Sequence, residues 1–192
     1  MFRAILLLTV AVALLLGSSS NATILDGPIV NPANGHQYIL LGQASWTASE
    51  AEAVTLGGHL ATVNDAAEDL WLYQTFAVPE ERNLWIGLND NAVEGTFVWV
   101  DGDLSPYRHW DSAEPNNHGL NGRDEDAVHI IGAGNSSQMW NDLSRNPDPI
   151  GTYQLPHGIV EIVPEPSTAL LLASGLATLA VRRRQVGPRG TL

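Results

Sequence analysis

The chain contains no cysteine and no lysine. Without cysteine no disulfide can brace the fold, and no thiolate can hold zinc. Without lysine the cationic side chains are nine arginines, and five of them (Arg3, Arg182, Arg183, Arg184 and Arg189) lie close to the two ends. Between residues 23 and 163 four arginines stand against twenty carboxylates, a net charge of −16 with histidine neutral. Such a surface repels the phosphates of nucleic acid, whose binding needs Lys and Arg contacts. It attracts cations, or serves solubility alone, so the placement of the carboxylates matters more than their number. Nucleophile-elbow and Walker patterns are also missing. Paired carboxylates would suit a glycosidase; the order of the motifs in residues 23–163, described below, argues against one. No repeat or low-complexity stretch interrupts residues 23–163.

Long apolar runs occur only at the ends. Arg3 precedes the apolar stretch 5–16, which is too short to span a bilayer as a stable helix. Ser20-Asn21-Ala22 then offers small residues at the usual spacing for cleavage after Ala22, so 1–22 reads as a signal peptide. At the other end Val163-Pro164-Glu165-Pro166 is followed by an apolar stretch, 169–181, and by Arg182-Arg183-Arg184. The arginines would hold that end on the cytoplasmic side. Motif, apolar stretch and arginine cluster, in this order, resemble the PEP-CTERM sorting signal of bacterial exported proteins. The resemblance implies an exosortase-type protease cutting near Pro164, Glu165 and Pro166, and transient membrane contact through 169–181. It also implies an exported product at the cell surface or in the extracellular matrix. A retained transmembrane helix at either end is the plainer alternative. The expected organisation is a signal peptide at 1–22, one globular domain at 23–163, and a sorting segment at 164–192.

Within the domain, 23–35 reads as an irregular lead-in and 36–41 as a strand. Thr47 and Glu50 have capping-box spacing before a helix that stops at Gly57-Gly58. Asp65 and Glu68 form a second such box before a helix through Phe76. After it, the pattern shifts to short strands at 84–88, 96–100, 127–131 and 158–162, interrupted by a long Pro-, Asn- and Gly-rich segment from 105 to 122. Two early helices followed by short strands make an α+β domain. A long loop inside such a domain is usually functional or disordered.

The loop and its flanks concentrate oxygen donors: Glu114-Pro115-Asn116, Asn117, Asp124-Glu125-Asp126 and Trp140-Asn141-Asp142. Carboxylates, amide oxygens and backbone carbonyls are what calcium requires, six to eight of them. Asp101-Gly102-Asp103 imitates an EF-hand start, but Ser112 stands where the bidentate Glu belongs. The histidines His109, His118, His129 and His157 have no metal-ligand spacing.

Several motifs in register are similar to those of C-type lectin domains. They are 56–61 (Leu-Gly-Gly-His-Leu-Ala), Trp85-Ile86-Gly87-Leu88, 94–99 (Glu-Gly-Thr-Phe-Val-Trp), Glu114-Pro115-Asn116 and Trp140-Asn141-Asp142. The match runs from about 35 to 162. It implies a C-type lectin-like fold, with two helices packed on short antiparallel strands and a long ligand-binding loop, here without disulfides. It also implies one calcium ion (Ca2+) held by Glu114, Asn116, Glu125, Asn141 and Asp142, with Asp124 as the alternative to Glu125, and a cis Pro115. A carbohydrate would then bind through Glu114, Asn116, Glu125 and Asn141. The Glu-Pro-Asn order resembles members that prefer mannose, glucose, fucose or N-acetylglucosamine, whereas galactose binders usually carry Gln-Pro-Asp. A second metal site would use Asp90, Glu94, Asn117, Glu125 and Asp126, although the family commonly has Asp where Asn117 stands. Ala53 and Val160 occupy the places of one cysteine pair, and Ala127 one end of the other. The expected function is calcium-dependent carbohydrate binding. The rival from another class is a calcium-independent adhesive or structural matrix protein using the same fold for protein contact.

Overall fold

The computed structural model describes residues 23–119, 122–134, 137–146 and 154–164. Ala22 and the rest of the signal-like segment lie outside the described residues, as do Glu165, Pro166 and the 169–181 stretch. Among the described residues no helix is long and apolar enough to cross a membrane.

The apolar runs of the sequence become the inner strands. β1 (Ile24–Val30), β2 (Gln37–Gln43) and β3 (His59–Leu60) come early, and β4 (Leu84–Asn89), β5 (Val98–Trp99), β6 (Ala127–Ile130), β7 (Trp140–Leu143) and β8 (His157–Ile162) follow. Their order in one sheet is β1-β2-β8-β4-β6-β7, with β3 on β8 and β5 on β4. β4 lies inside that sheet and all six of its residues are buried. All pairings are antiparallel except β4 with β8, which run parallel through Leu84–His157 and Trp85–Gly158. The expected short antiparallel strands are present, and the one parallel seam arises where the last strand is threaded between β2 and β4.

Two local expectations also change. Residues 24–30 are a strand, not an irregular lead-in: β1 pairs with β2 through register shifts on either side of Asp26. Gly27, at φ 104° with a cis bond to Pro28, sits in that irregularity, and a Cβ there would lie 2.6 Å from the Tyr38 carbonyl oxygen. The first helix, α1 (Trp46–Thr55), begins earlier than the Thr47 box, because Ser45 caps it by accepting from the Ala48 amide. Glu50 is committed elsewhere: its carboxylate accepts from the Leu60 amide at 2.9 Å and meets His59 Nδ1 at 2.7 Å. The earlier start buries Trp46, whose indole donates to the Ile86 carbonyl at 2.8 Å. The second helix, α2 (Ala66–Leu72), is capped by Asp65 as expected. It widens into a π turn (Tyr73–Ala77) and ends in a 3-10 turn (Val78–Glu80) that contains Pro79.

Packing stands where cross-links are missing. Ala53 of α1 and Val160 of β8 are buried together with Ile39 and Leu41. Ala127 is buried with Trp46, Leu60 and Trp85. α1 lies so close on β8 that a Cβ at Gly158 would stand 2.9 Å from the Ser49 Cβ. A polar cluster ties β2, α2 and β8 on another side. The Tyr38 hydroxyl contacts Glu68 and donates to Glu161 at 3.0 Å, while His36 Nδ1 meets Glu161 at 2.5 Å. Burial pushes the Glu161 carboxyl above its ordinary range.

Candidate metal centre

β6 and β7 end beneath the long loop, and their register sets the floor of the site. Val128 faces Asp142 and His129 faces Asn141. Asp142 is 1% exposed, and both its carboxylate oxygens are turned to the loop. Oδ1 accepts from the Asn116 amide at 3.2 Å and Oδ2 from the Asn117 amide at 3.0 Å. The Glu114–Pro115 peptide is cis, as the resemblance implied. The chain enters it through a turn in which the Glu114 amide donates to the Asp111 carbonyl at 3.0 Å.

On the far side of Pro115 the loop is stitched by its own side chains. Asn116 Oδ1 accepts from the His118 amide at 2.6 Å, and Glu125 Oε2 accepts from the same amide at 3.1 Å. Asn117 takes a left-handed conformation (φ 50°), which Asn tolerates better than most residues. Its Oδ1 accepts from the Glu125 amide at 2.6 Å. These contacts bring Glu114, Asn116, Glu125 and Asp142 to one place. Asn141 lies next to Asp142 in β7, and its amide nitrogen donates to the Asp142 carbonyl at 2.7 Å.

The electrostatics of this place are one-sided. Burial, then the adjacent Asp142, Glu125 and Asp111 carboxylates, push Glu114 up to about 7. Burial and Asp142 push Glu125 up to about 7 as well, against the opposing His118 amide. Below them His129 is buried with its ring edge-on to Trp85, and burial pushes it down to about 4. It therefore stays neutral near pH 7 and offers Asp142 no counter-charge. Glu114 Oε2 is buried and has no hydrogen-bond partner. An unpaired buried acceptor is costly. An all-oxygen donor set with three carboxylates and an unused buried lone pair fits a hard divalent cation.

A second acidic cluster lies alongside. One carboxylate oxygen each from Glu94, Asp124 and Asp126 lies within 4.8 Å of the others. Asp90 is nearby: burial and the Asp126 carboxylate raise it, its Oδ2 accepts from the Gly95 amide at 2.8 Å, and its buried Oδ1 has no partner. Glu94 is raised too, by desolvation and then by Asp90, Asp124 and Asp126. Of the expected second set, Asn117 spends its side-chain oxygen on the Glu125 amide, while Asp124, expected only as the alternative to Glu125, lies with Glu94 and Asp126. Arg145 Nε lies 3.5 Å from Asp126 Oδ2.

Sequence reasoning missed three things here: the place of Asp124, the influence of Asp111 on Glu114, and a further group able to hold a metal, His36 with Glu68 and Glu161. The run Asp124-Glu125-Asp126 was the one available signal for the first. Nothing along the chain links the members of the last.

Comparison with known proteins agrees with this fold. The Lectin C-type domain model matches residues 42–147, and the PEP-CTERM protein-sorting motif matches residues 163–184. The Alpha-N-acetylgalactosamine-specific lectin of Patiria pectinifera is 32% identical over 120 residues, covering 58% of this chain and 68% of that protein. The Hepatic lectin of Gallus gallus is 36% identical over 110 residues, covering 55% of this chain and 47% of that protein, so the chain spans about half the length of that relative. Among solved structures, the cow C-type carbohydrate-recognition domain of CD23, determined in the presence of a GlcNAc2Man3 oligosaccharide, matches with a TM-score of 0.55 at 26% identity. That match covers 67% of this chain and 88% of the other. A domain model spanning more than half of the chain, joined to the fold described above, settles its membership: the chain belongs to the C-type lectin domain family and carries a PEP-CTERM sorting motif.

Proposed function

We propose that the domain binds carbohydrate through a calcium ion held by Glu114, Asn116, Glu125, Asn141 and Asp142, and that it performs no turnover. The observation that carries this reading is the buried, unpartnered Glu114 Oε2 beside the Asp142 and Glu125 carboxylates. Protons or a cation must offset that charge, and an oxygen-only set favours calcium. Bound calcium would supply open coordination positions for two neighbouring sugar hydroxyls. The protein's own groups then complete each hydroxyl's hydrogen bonding. Glu114 and Glu125 accept the hydroxyl protons, and the amide nitrogens of Asn116 and Asn141 donate to its lone pairs. Asn141 already gives one N–H to the Asp142 carbonyl, and its second N–H remains for a ligand.

The Glu-Pro-Asn order supports a mannose-, glucose- or fucose-type preference. Single-site affinity should be weak, with avidity from multivalent display. The test is a glycan array probed with the protein in calcium and again in EDTA. Calcium-dependent signal on mannose-type glycans is expected. A galactose-only profile overturns the preference. Equal signal in EDTA, or binding only to protein partners, overturns the function and favours the adhesive reading.

The second cluster is proposed as an auxiliary calcium site built on Asp90, Glu94, Asp124 and Asp126. Calcium titration by calorimetry should give two ions per chain, and Asp124→Asn should reduce this to one. A single ion on the unaltered protein rules the auxiliary site out.

The PEP-CTERM motif indicates export and surface sorting. We extend this to a signal peptide at 1–22, cleavage near Pro164-Glu165-Pro166 by an exosortase-type protease, and a mature domain of 23–163 at the cell surface or in the matrix. Mass spectrometry of the exported product should find its ends close to residues 23 and 163.

A further inference from the structure

We infer that Asp69, which is no part of the proposed ligand set, is the positioning residue that holds the two halves of the metal centre in register before any ion arrives. This rests on the functional reading above. Asp69 sits on α2 and is 0% exposed, yet four side chains converge on its carboxylate. Trp140 Nε1 donates to Oδ1 at 2.9 Å, and Gln138 Nε2 donates to Oδ2 at 3.1 Å. The Tyr107 hydroxyl lies 3.4 Å and His109 Nδ1 2.7 Å from Oδ2. Burying a carboxylate costs heavily unless it is paired and hydrogen-bonded. This one is, and its partners come from the two chain segments that lead into the site.

Those segments meet at Trp140. Its amide donates to the His109 carbonyl at 2.7 Å, and its carbonyl accepts from the Asp111 amide at 2.9 Å. Two residues further on, β7 presents Asp142. From Asp111 the chain turns directly into Glu114. The indole is boxed by Trp99, Tyr107 and Trp110, with ring centroids 6.0, 5.6 and 6.1 Å away, and the hydrogen bond to Asp69 fixes its rotation. The other junction between the two segments uses the Asp142 carboxylate itself, on the Asn116 and Asn117 amides. A cation competes for those oxygens, whereas the Asp69 junction is independent of it. In the calcium-free protein Asp69 therefore presets the spacing between Glu114 and Asp142, and α2 acts on a site it does not touch.

The experiment compares the purified protein with Asp69→Ala, Asp69→Asn and Trp140→Phe. Far-UV circular dichroism in EDTA checks that each is folded. The readouts are the calcium dissociation constant by calorimetry and, in EDTA, the solvent exchange of the Trp140 indole proton by NMR. Removing a group that orients metal ligands typically costs about 10–100-fold in affinity. Asp69→Ala is expected in that range, with fast indole exchange. Asp69→Asn keeps an acceptor for the indole and should recover most of the affinity and the slow exchange. Trp140→Phe keeps an aromatic ring but removes the donor along with part of the buried indole, and it should weaken calcium binding even if the alanine variant does not fold. Folded variants that bind calcium like the unaltered protein overturn the proposal while leaving the functional reading intact. An unaltered protein that binds no calcium overturns both.

Discussion

Glu114→Gln is expected to abolish calcium-dependent sugar binding and, in EDTA, to leave the melting temperature unchanged or raise it. The two effects have opposite signs because Glu114 is poorly placed without a cation. One of its oxygens is buried without a partner, and the strongest charges acting on it are carboxylates. Glutamine removes the charge and relieves that repulsion. In the calcium-bound protein the same change removes an anionic ligand from a buried charged assembly. Losing one partner of such an assembly typically costs about 3–5 kcal/mol, so calcium affinity should fall by roughly 100-fold or more. Differential scanning fluorimetry with calcium and with EDTA, alongside calorimetry, separates the two. A variant that melts lower in EDTA by as much as it does in calcium would make Glu114 a plain structural residue and remove the basis for the site.

Calcium affinity should rise steeply between pH 5 and pH 7.5, while the stability of the calcium-free protein falls over the same interval. Glu114 and Glu125 are both pushed up to about 7 in the folded protein, mainly by burial and by Asp142. A raised folded value means that the folded state holds protons that the unfolded state has released. The stabilisation is fully present below about pH 4.5, the ordinary glutamate range, and is lost as pH rises through about 7. Calcium must displace those protons, so each bound ion should release up to two of them. Each displaced proton weakens binding up to about tenfold per pH unit below the folded value. Affinity at pH 5 should therefore be lower than at pH 7 by roughly 100-fold or more. Calorimetry in two buffers of different ionisation enthalpy measures the proton count directly. A flat affinity from pH 5 to 7.5 with no proton release would contradict the electrostatics described here.

Much of the frame was legible because apolar runs and caps act locally. The run at 84–88 is compact, apolar and fit for a buried strand, and Asp65 has capping-box spacing before the helix after it. β1 was not legible: Gly27-Pro28 breaks its pattern and most of its residues are exposed, so no alternation marks it. β7 was hidden by the polarity of Asn141-Asp142, which serve the site rather than the core. The α1 cap was misplaced because Glu50 has capping-box spacing from Thr47 but bonds to Leu60 and His59 across the fold. In the site, Glu114, Asn116 and Asp142 could be named from family resemblance, since their convergence depends on a cis Pro115 and on the β6–β7 register. Whether Glu125 or Asp124 joined them was open from sequence. Glu125 bonds back into the loop through His118 and Asn117, whereas Asp124 turns to Glu94 and Asp126. Asp69 was invisible because the side chains that meet its carboxylate, Tyr107, His109, Gln138 and Trp140, come from distant parts of the chain.

The most direct measurement is diffraction from crystals grown in calcium, with the ion located by its anomalous signal. The expected result is a peak bounded by oxygens of Glu114, Asn116, Glu125, Asn141 and Asp142. A calcium-saturated crystal in which Glu114 and Asp142 share no ion would contradict the proposed site.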